Sequence, residues 1–376
     1  MSKYIDRKWS RVMRELPYRQ EPYSKKNWGN GLHSLCSYQG KLKPAIAHFL
    51  VNTFVPQKGK VLDPFSGVGT IPFEAALNGK KSWGIDISPL AYYVSSAKLH
   101  MTTKKDCDAI IDRLETFINS FRVDQETISS NASFGFNKTL GDYYDPQTFR
   151  EILSARQFFR NNKPRTAAEF LIISSLLHIL HGNRPYALSR RSHPIVPYAP
   201  TGEFIYKNLV EKVKEKVYKS LDINLTPKFQ EGTMYLGDST ESWPEEINDL
   251  DAVITSPPFF DSTRFYMANW IRLWFTGWDD TSFNTEPLKY VDEKQKISFD
   301  IYNNVFANAR ERLKDGGYFV MHLGKSDKCN MGDILKKRCL RWFTHAKLYI
   351  ENVSDCETFG IKDIGTVSEH QYLIMY

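Results

Sequence analysis

Val61-Leu62-Asp63-Pro64-Phe65-Ser66-Gly67-Val68-Gly69-Thr70 is the stretch from which the fold is read. Lys60 to Phe65 has the apolar run of a buried strand, and a proline stops it just before a glycine-bearing turn. Phe65 to Thr70 is that turn, and Ile71, Phe73, Ala75, Ala76 and Leu77 continue it as a helix. Gly67 and Gly69 lack a β-carbon, so backbone can approach a bound ligand and the helix can pack close. Ser82 to Ile87 makes a second strand carrying Asp86, about 20 residues after the first glycine, where an acid is placed to bind vicinal ribose hydroxyls. This succession predicts an open α/β sheet. A nicotinamide-dependent enzyme shares the geometry, but its Gly-x-Gly-x-x-Gly fingerprint fails here, because Pro72 stands where the third glycine belongs.

A second stretch, Leu250-Asp251-Ala252-Val253-Ile254-Thr255-Ser256-Pro257-Pro258-Phe259, reads as a short buried strand ended by a rigid turn. Two consecutive prolines fix φ and remove two backbone donors, so neighbouring carbonyls can face a ligand. Ser-Pro-Pro alone is also read as a proline-rich cap on a strand. The pair of stretches, however, resembles the amino-group DNA methyltransferases, which methylate exocyclic nitrogens of bases with S-adenosylmethionine. Asp63-Pro64-Phe65-Ser66-Gly67-Val68-Gly69 is similar to their cofactor loop, and Ser256-Pro257-Pro258-Phe259 to their catalytic motif.

The resemblance covers roughly residues 33–100 and 230–376. It implies a Rossmann-like methyltransferase sheet, mostly parallel with an antiparallel edge strand, interrupted by a largely helical insertion. Residues 1–30 then form an N-terminal arm, 31–100 and 230–376 the S-adenosylmethionine-binding catalytic domain, and 101–229 the insertion. The implied cofactor contacts are Asp63, Phe65, Gly67, Gly69, Thr70 and Asp86, with Asp238 accepting from the adenine amine. Tyr38 and Lys41, in a Lys-Pro-type segment before a helix, are candidates for the methionine end; a surface turn is their other reading. One departure stands out. The insertion precedes the Gly237-Asp238-Ser239 strand, whereas the family's familiar layouts place target recognition after it or at an end.

Within the insertion, helices are expected over Ala109–Phe121, Phe149–Phe159, Ala167–His181 and Tyr206–Leu221. The loop Gly182-Asn183-Arg184-Pro185-Tyr186-Ala187-Leu188-Ser189-Arg190-Arg191-Ser192-His193-Pro194 joins three arginines to aromatic rings. Guanidinium both forks onto phosphate and stacks on bases, so Arg184, Arg190, Arg191 and His193 are candidate DNA contacts, against a solvated loop as the plainer reading. Toward the C-terminus, an aromatic helix spans 262–275, with Tyr266, Trp270 and Trp274 expected in the core. Asp315-Gly316-Gly317 turns into the strand Tyr318–Leu323, and residues 333–343 form a basic helix. Ala346–Val353 and His370–Tyr376 close the sheet as an antiparallel edge, and the loop Gly360–Thr366 between them is expected near the catalytic end.

Composition narrows the class only gently. In 376 residues, 41% hydrophobic and 25% charged content is ordinary for a globular protein, and a net charge of +7 is compatible with a polyanionic partner without establishing one. No stretch has the apolar length of a membrane span, the start is polar, and a cytoplasmic protein is expected. Cys36, Cys107, Cys329, Cys339 and Cys356 are scattered without Cys-x-x-Cys or paired histidine spacing, so reduced thiols and no metal site are expected.

The resemblance assigns chemistry as well. The lone pair of an exocyclic amine is delocalised into its ring, and a site that accepts both amine hydrogens frees it. Ser256 Oγ and the Pro257 carbonyl are the implied acceptors, Pro258 stiffens the turn, and Phe259 stacks on the flipped-out base. Direct displacement follows without a covalent intermediate. Carbon-5 cytosine methyltransferases are excluded, since they need a Pro-Cys nucleophile and none is present; Glu351-Asn352-Val353 matches their companion motif by chance. Serine before Pro-Pro points to N4 of cytosine, with N6 of adenine as the alternative. An RNA amino-methyltransferase or a non-catalytic nucleic-acid-binding scaffold are the remaining readings. The partners expected are double-stranded DNA and, in a restriction-modification pair, an endonuclease acting on the same site.

Overall fold

In the computed structural model, residues 5–10, 21–23, 25, 28–261, 265–352 and 367–376 are described. The strands, in chain order, are β1 (Lys60–Asp63), β2 (Lys81–Asp86), β3 (Thr233–Leu236), β4 (Leu250–Thr255), β5 (Leu313–Ser326), β6 (Cys329–Asn330), β7 (Ala346–Asn352) and β8 (Val367–Met375). They form one mixed sheet in the order β3-β2-β1-β4-β5-β8-β7, with β6 paired to the end of β5. The first five are parallel, and β8 and β7 run antiparallel. The strand order reverses direction between β1 and β4, so a crevice opens at their carboxyl ends.

Alternation along the strands explains why both faces are covered. Val61, Ala252, Ile254, Val320, Tyr372 and Ile374 point into one core. Leu62, Val253, Phe319, Met321, Leu373 and Met375 point into the other. The first core is closed by the arm helix α1 (residues 5–10), by α2 (Pro44–Phe54) and by part of α3 (Thr70–Leu77). Trp9 of α1 stacks on Tyr349 with ring centroids 4.7 Å apart and leans on Tyr372 at 4.8 Å, so the described part of the arm packs on the antiparallel edge.

After β2, the chain leaves the sheet in α4 (Pro89–Leu99) and builds the insertion from α5 (Lys104–Ser120), α6 (Gln125–Ala132), α7 (Leu140–Tyr143), α8 (Pro146–Asn161), α9 (Ala167–Ile179) and α10 (Leu209–Leu221). From Phe170 to Ile179 every residue of α9 is buried, which makes it the axis of the helical layer. One apolar cluster runs from the insertion into the rest of the chain. Trp270, Trp274 and Phe283, far along the chain, pack in the same cluster as the insertion helices and α4.

Two expectations are corrected. The aromatic helix, described from Phe265 onward, is two short helices, α11 (Phe265–Ala268) and α12 (Trp270–Phe275), because Asn269 leaves helical geometry at φ −122° and ψ 19°. The Asn269 amide donates to the Phe265 carbonyl and accepts from buried Arg272, so its side chain replaces a turn of backbone bonding. After α13 (Asp280–Thr285), α14 (Val291–Ile297) and α15 (Tyr302–Arg312), Asp315-Gly316-Gly317 lies inside β5 rather than before it. Pairing with β4 jumps from Leu250–Leu313 to Ala252–Tyr318, so these residues bulge out of the ladder, with Gly316 at φ +77°. The basic helix is α16 (Met331–Cys339). Cys356 and the Gly360–Thr366 loop lie outside the described residues.

Candidate active site

At the carboxyl ends of β1, β2, β4 and β5 lies a cavity of about 490 Å³, within the range that holds a cofactor-sized ligand. Its wall brings together Tyr38, Lys41, Asp63, Phe65, Gly67, Thr70, Asp86, Asp238 and the run Ser256-Pro257-Pro258-Phe259. Residues almost 200 positions apart therefore meet at one strand reversal.

The glycine turn is held from both sides. Gly67 and Gly69 have φ of +50° and +67°, which L side chains rarely adopt. Gly69 is not part of the wall: a β-carbon there would lie 2.8 Å from Ser95 Oγ, so this glycine serves the packing of α3 on α4. The Gly67 N–H donates to Asp86 Oδ2 at 2.7 Å, and Asp86 Oδ1 accepts from the Ser88 N–H at 2.9 Å. Asp63 Oδ1 accepts from Thr255 Oγ1 at 2.6 Å and from the Phe65 N–H at 3.1 Å. Because Thr255 immediately precedes Ser256, this bond ties the glycine turn to the second motif.

Burial dominates the electrostatics. It pushes the Asp63 carboxyl up to about 7, against the bonds from Thr255 and Phe65, and the Asp86 carboxyl up to about 6, against the bonds from Ser88 and Gly67. Asp292, at the start of α14, also lines the cavity and is also raised by burial, and its Oδ1 has no hydrogen-bond partner. A wall carrying these carboxylates favours a ligand with cationic and hydroxyl groups. Lys41, whose Nζ donates to the His33 carbonyl at 2.6 Å, supplies a counter-charge for a carboxylate. Asp238 already accepts from Lys294 Nζ at 2.6 Å and from Thr240, so a ligand amine would share its remaining lone pairs. Such a set fits S-adenosylmethionine, which combines a ribose diol, a sulfonium, an ammonium and a carboxylate.

Among the wall residues not foreseen are Tyr290, Asp292, His322 and His370. A histidine inside an apolar strand, as in Val320-Met321-His322-Leu323, was the available signal. Ser256 Oγ and His322 Nδ1 are 3.0 Å apart, and His322 Nε2 and His370 Nδ1 are 3.1 Å apart. Phe259 seats against β5 at Gly324, where a β-carbon would lie 2.6 Å from the ring, and its centroid is 5.5 Å from that of His322.

The arginine loop stands outside the cavity wall. Arg190 is taken up internally. Its Nε donates to the Gly202 carbonyl at 2.7 Å and its Nη1 to the Asp142 carbonyl at 3.0 Å, while Phe204 covers the guanidinium at 4.3 Å. It braces the loop, which removes it as a free phosphate contact. Arg184, Arg191 and His193 are exposed. Fully buried Arg272 anchors the same loop, donating to the Leu177 and Pro194 carbonyls. Among the described residues, no cluster of three or more His, Cys, Asp or Glu is arranged to hold a metal ion, and no helix is long and apolar enough to cross a membrane.

Residues 34–124 match the model of an RMKL-like methyltransferase domain. The chain is 23% identical over 366 residues to the Type II methyltransferase M.BsoBI of Geobacillus stearothermophilus, covering 83% of this chain and 68% of that one. Among solved structures, it is similar to a TehB-like SAM-dependent methyltransferase from Corynebacterium glutamicum, with a TM-score of 0.32 and 12% identity over 88% of this chain and 85% of that one. It is also similar to the rRNA methyltransferase aviRa from Streptomyces viridochromogenes, with a TM-score of 0.35 and 9% identity over 95% and 94%. The matched domain, the sheet order and the cavity support an S-adenosylmethionine-dependent methyltransferase.

Proposed function

We propose that this protein methylates the exocyclic N4 of cytosine in double-stranded DNA, on a base flipped out of the duplex. The observation that carries the proposal is the position of Ser256-Pro257-Pro258-Phe259, which follows β4 and shares one cavity wall with the glycine turn. Asp63, Asp86 and the Gly67 backbone would hold the ribose and methionine portions of the cofactor, with Tyr38, Lys41 and Asp292 around them. The bound cofactor supplies an electrophilic methyl group on a sulfonium. The protein's own task is to hold the amine: Ser256 Oγ and the Pro257 carbonyl accept its hydrogens, and Phe259 offers a ring face to the base.

A hydroxyl rather than a carboxylate before Pro-Pro favours cytosine, and the relative described as a Type II methyltransferase favours DNA. The insertion, with exposed Arg184, Arg191 and His193, is the candidate for target recognition, and an endonuclease acting on the same site the candidate partner. Nucleoside mass spectrometry on DNA from a methylation-deficient host tests the reading. N4-methylcytosine is expected with the wild-type chain and sharply reduced with Ser256→Ala. N6-methyladenine in its place moves the target to adenine, and a mark found only in host RNA overturns the DNA assignment.

A further inference from the structure

Ser256, His322 and His370 form a chain drawn from the turn after β4, from β5 and from β8, and its two histidines have no part in the scheme above. His322 pairs across the ladder with Tyr372, and His370 with Gly324, so the two imidazoles sit diagonally on one face. Their rings stack at 5.0 Å with an interplanar angle of 21°. Both are buried, at 4% and 9% exposure.

We propose that His322, oriented by His370, is a positioning residue that keeps Ser256 Oγ an acceptor and takes up the proton released by the methylated amine. The inference rests on the methyl-transfer reading of this cavity. Its logic is the accounting of lone pairs. If the Ser256 hydroxyl donates to a bare His322 Nδ1, both lone pairs of Oγ are free to accept amine hydrogens. If Nδ1 carries the proton instead, it donates to Oγ and occupies one of them. A His322 Nε2–H donating to His370 Nδ1 selects the first arrangement, because the partner of one ring nitrogen sets the tautomer of the other.

The same chain balances the reaction. When the amine nitrogen bonds to the methyl carbon of the sulfonium donor, the carbon–sulfur pair leaves with the thioether and the nitrogen becomes positive. Its N–H bond then breaks, and the electron pair stays on nitrogen. The proton passes to Ser256 Oγ as the Ser256 proton passes to His322 Nδ1. The product is a neutral secondary amine and an imidazolium.

Other charged and titratable groups lie near this pair. Lys325 of β5 and Glu369 of β8 are ion-paired at 2.8 Å on the opposite face of the same two strands. The Tyr372 ring lies 5.1 Å from His322, and its hydroxyl donates to Glu351 of β7, which is registered opposite His370. Asp63 reaches the turn through Thr255. Protonating an imidazole turns Nδ1 into a donor, so turnover falls in acid.

The test combines one variant with one spectrum. In His322→Asn the amide still reaches Ser256 but cannot take up a proton. Cofactor affinity by calorimetry is expected unchanged, which also reports folding, while kcat falls about 10²-fold and the acid limb of the pH profile disappears. Histidine-selective ¹⁵N NMR on the full-length, cofactor-free protein is expected to show His322 with Nδ1 bare and a resonance that moves in Ser256→Ala. Wild-type kcat and pH profile in His322→Asn, or a proton on Nδ1, overturns the inference. Should no methylated base be found with the wild-type chain, the proposed function fails, and the spectrum still decides the tautomer.

Discussion

The two ends of the cavity are built by different means. The cofactor end is local: Asp63, Gly67 and Asp86 lie within 24 residues on consecutive strands, and the bond from the Gly67 N–H to Asp86 closes the turn almost within the motif itself. The target end is assembled. Ser256, His322 and His370 come from the turn after one strand and from two other strands, and meet only because β5 lies between β4 and β8. A local site tolerates rearrangement elsewhere in the chain, whereas an assembled one depends on register, since a one-residue slip of β8 would turn His370 to the opposite face. The bond from Thr255 Oγ1 to Asp63 is where the two halves are joined.

The strongest way to break this comparison is Ser256→Ala. Turnover is expected to fall on the order of 10²–10³-fold, as for loss of one preorganised transition-state contact, while calorimetry shows unchanged cofactor affinity. A matching loss of cofactor binding would mean that the two ends are not separate. A smaller effect comes from pH. The folded Asp63 value, about 7, lies above its ordinary value of 3.8. Its stabilising contribution is therefore complete below about pH 4 and is lost as pH rises through about 7. A cationic ligand favours the ionised form, so cofactor affinity runs the other way across that window. Cofactor-free Asp63→Asn is expected to match wild type in thermal melts near pH 4. By pH 8 it should exceed wild type by a few kcal/mol, at about 1.4 kcal/mol per pKa unit. Parallel melts across the range would remove the burial argument. The smallest effect sharpens the recognition surface. Arg191→Glu is expected to weaken DNA binding and lower the salt slope by about 1, with no change in melting. Arg190→Ala should instead lower the melting temperature, because three contacts within the protein are lost.

Legibility followed the same division. Closely spaced glycines, an acid ending the next strand and a proline pair after an apolar run are signals carried by adjacent residues, and they placed β1, β2, β4 and the turns that follow β1 and β4 in the cavity wall. Gly69 shows the limit of such reading: it belongs to the motif by letters but to helix packing by position. Arg190 is another case, since a charge in a polar loop looks free until Phe204 and two carbonyls are found around it. Asp292 gave no local sign, because its burial depends on the β-sheet crevice beneath it.

By itself, then, the sequence determined the strand–turn–helix start, the cofactor-type loop and the rigid turn after β4, because each is encoded by steric and hydrogen-bonding preferences of neighbouring residues. Only the tertiary structure decided that His322 and His370 stand behind Ser256, that Asp63 bonds to Thr255, and that residues 265–290 share a core with the insertion. Those contacts join segments far apart in the chain, and they exist only once packing and strand register have brought the segments together.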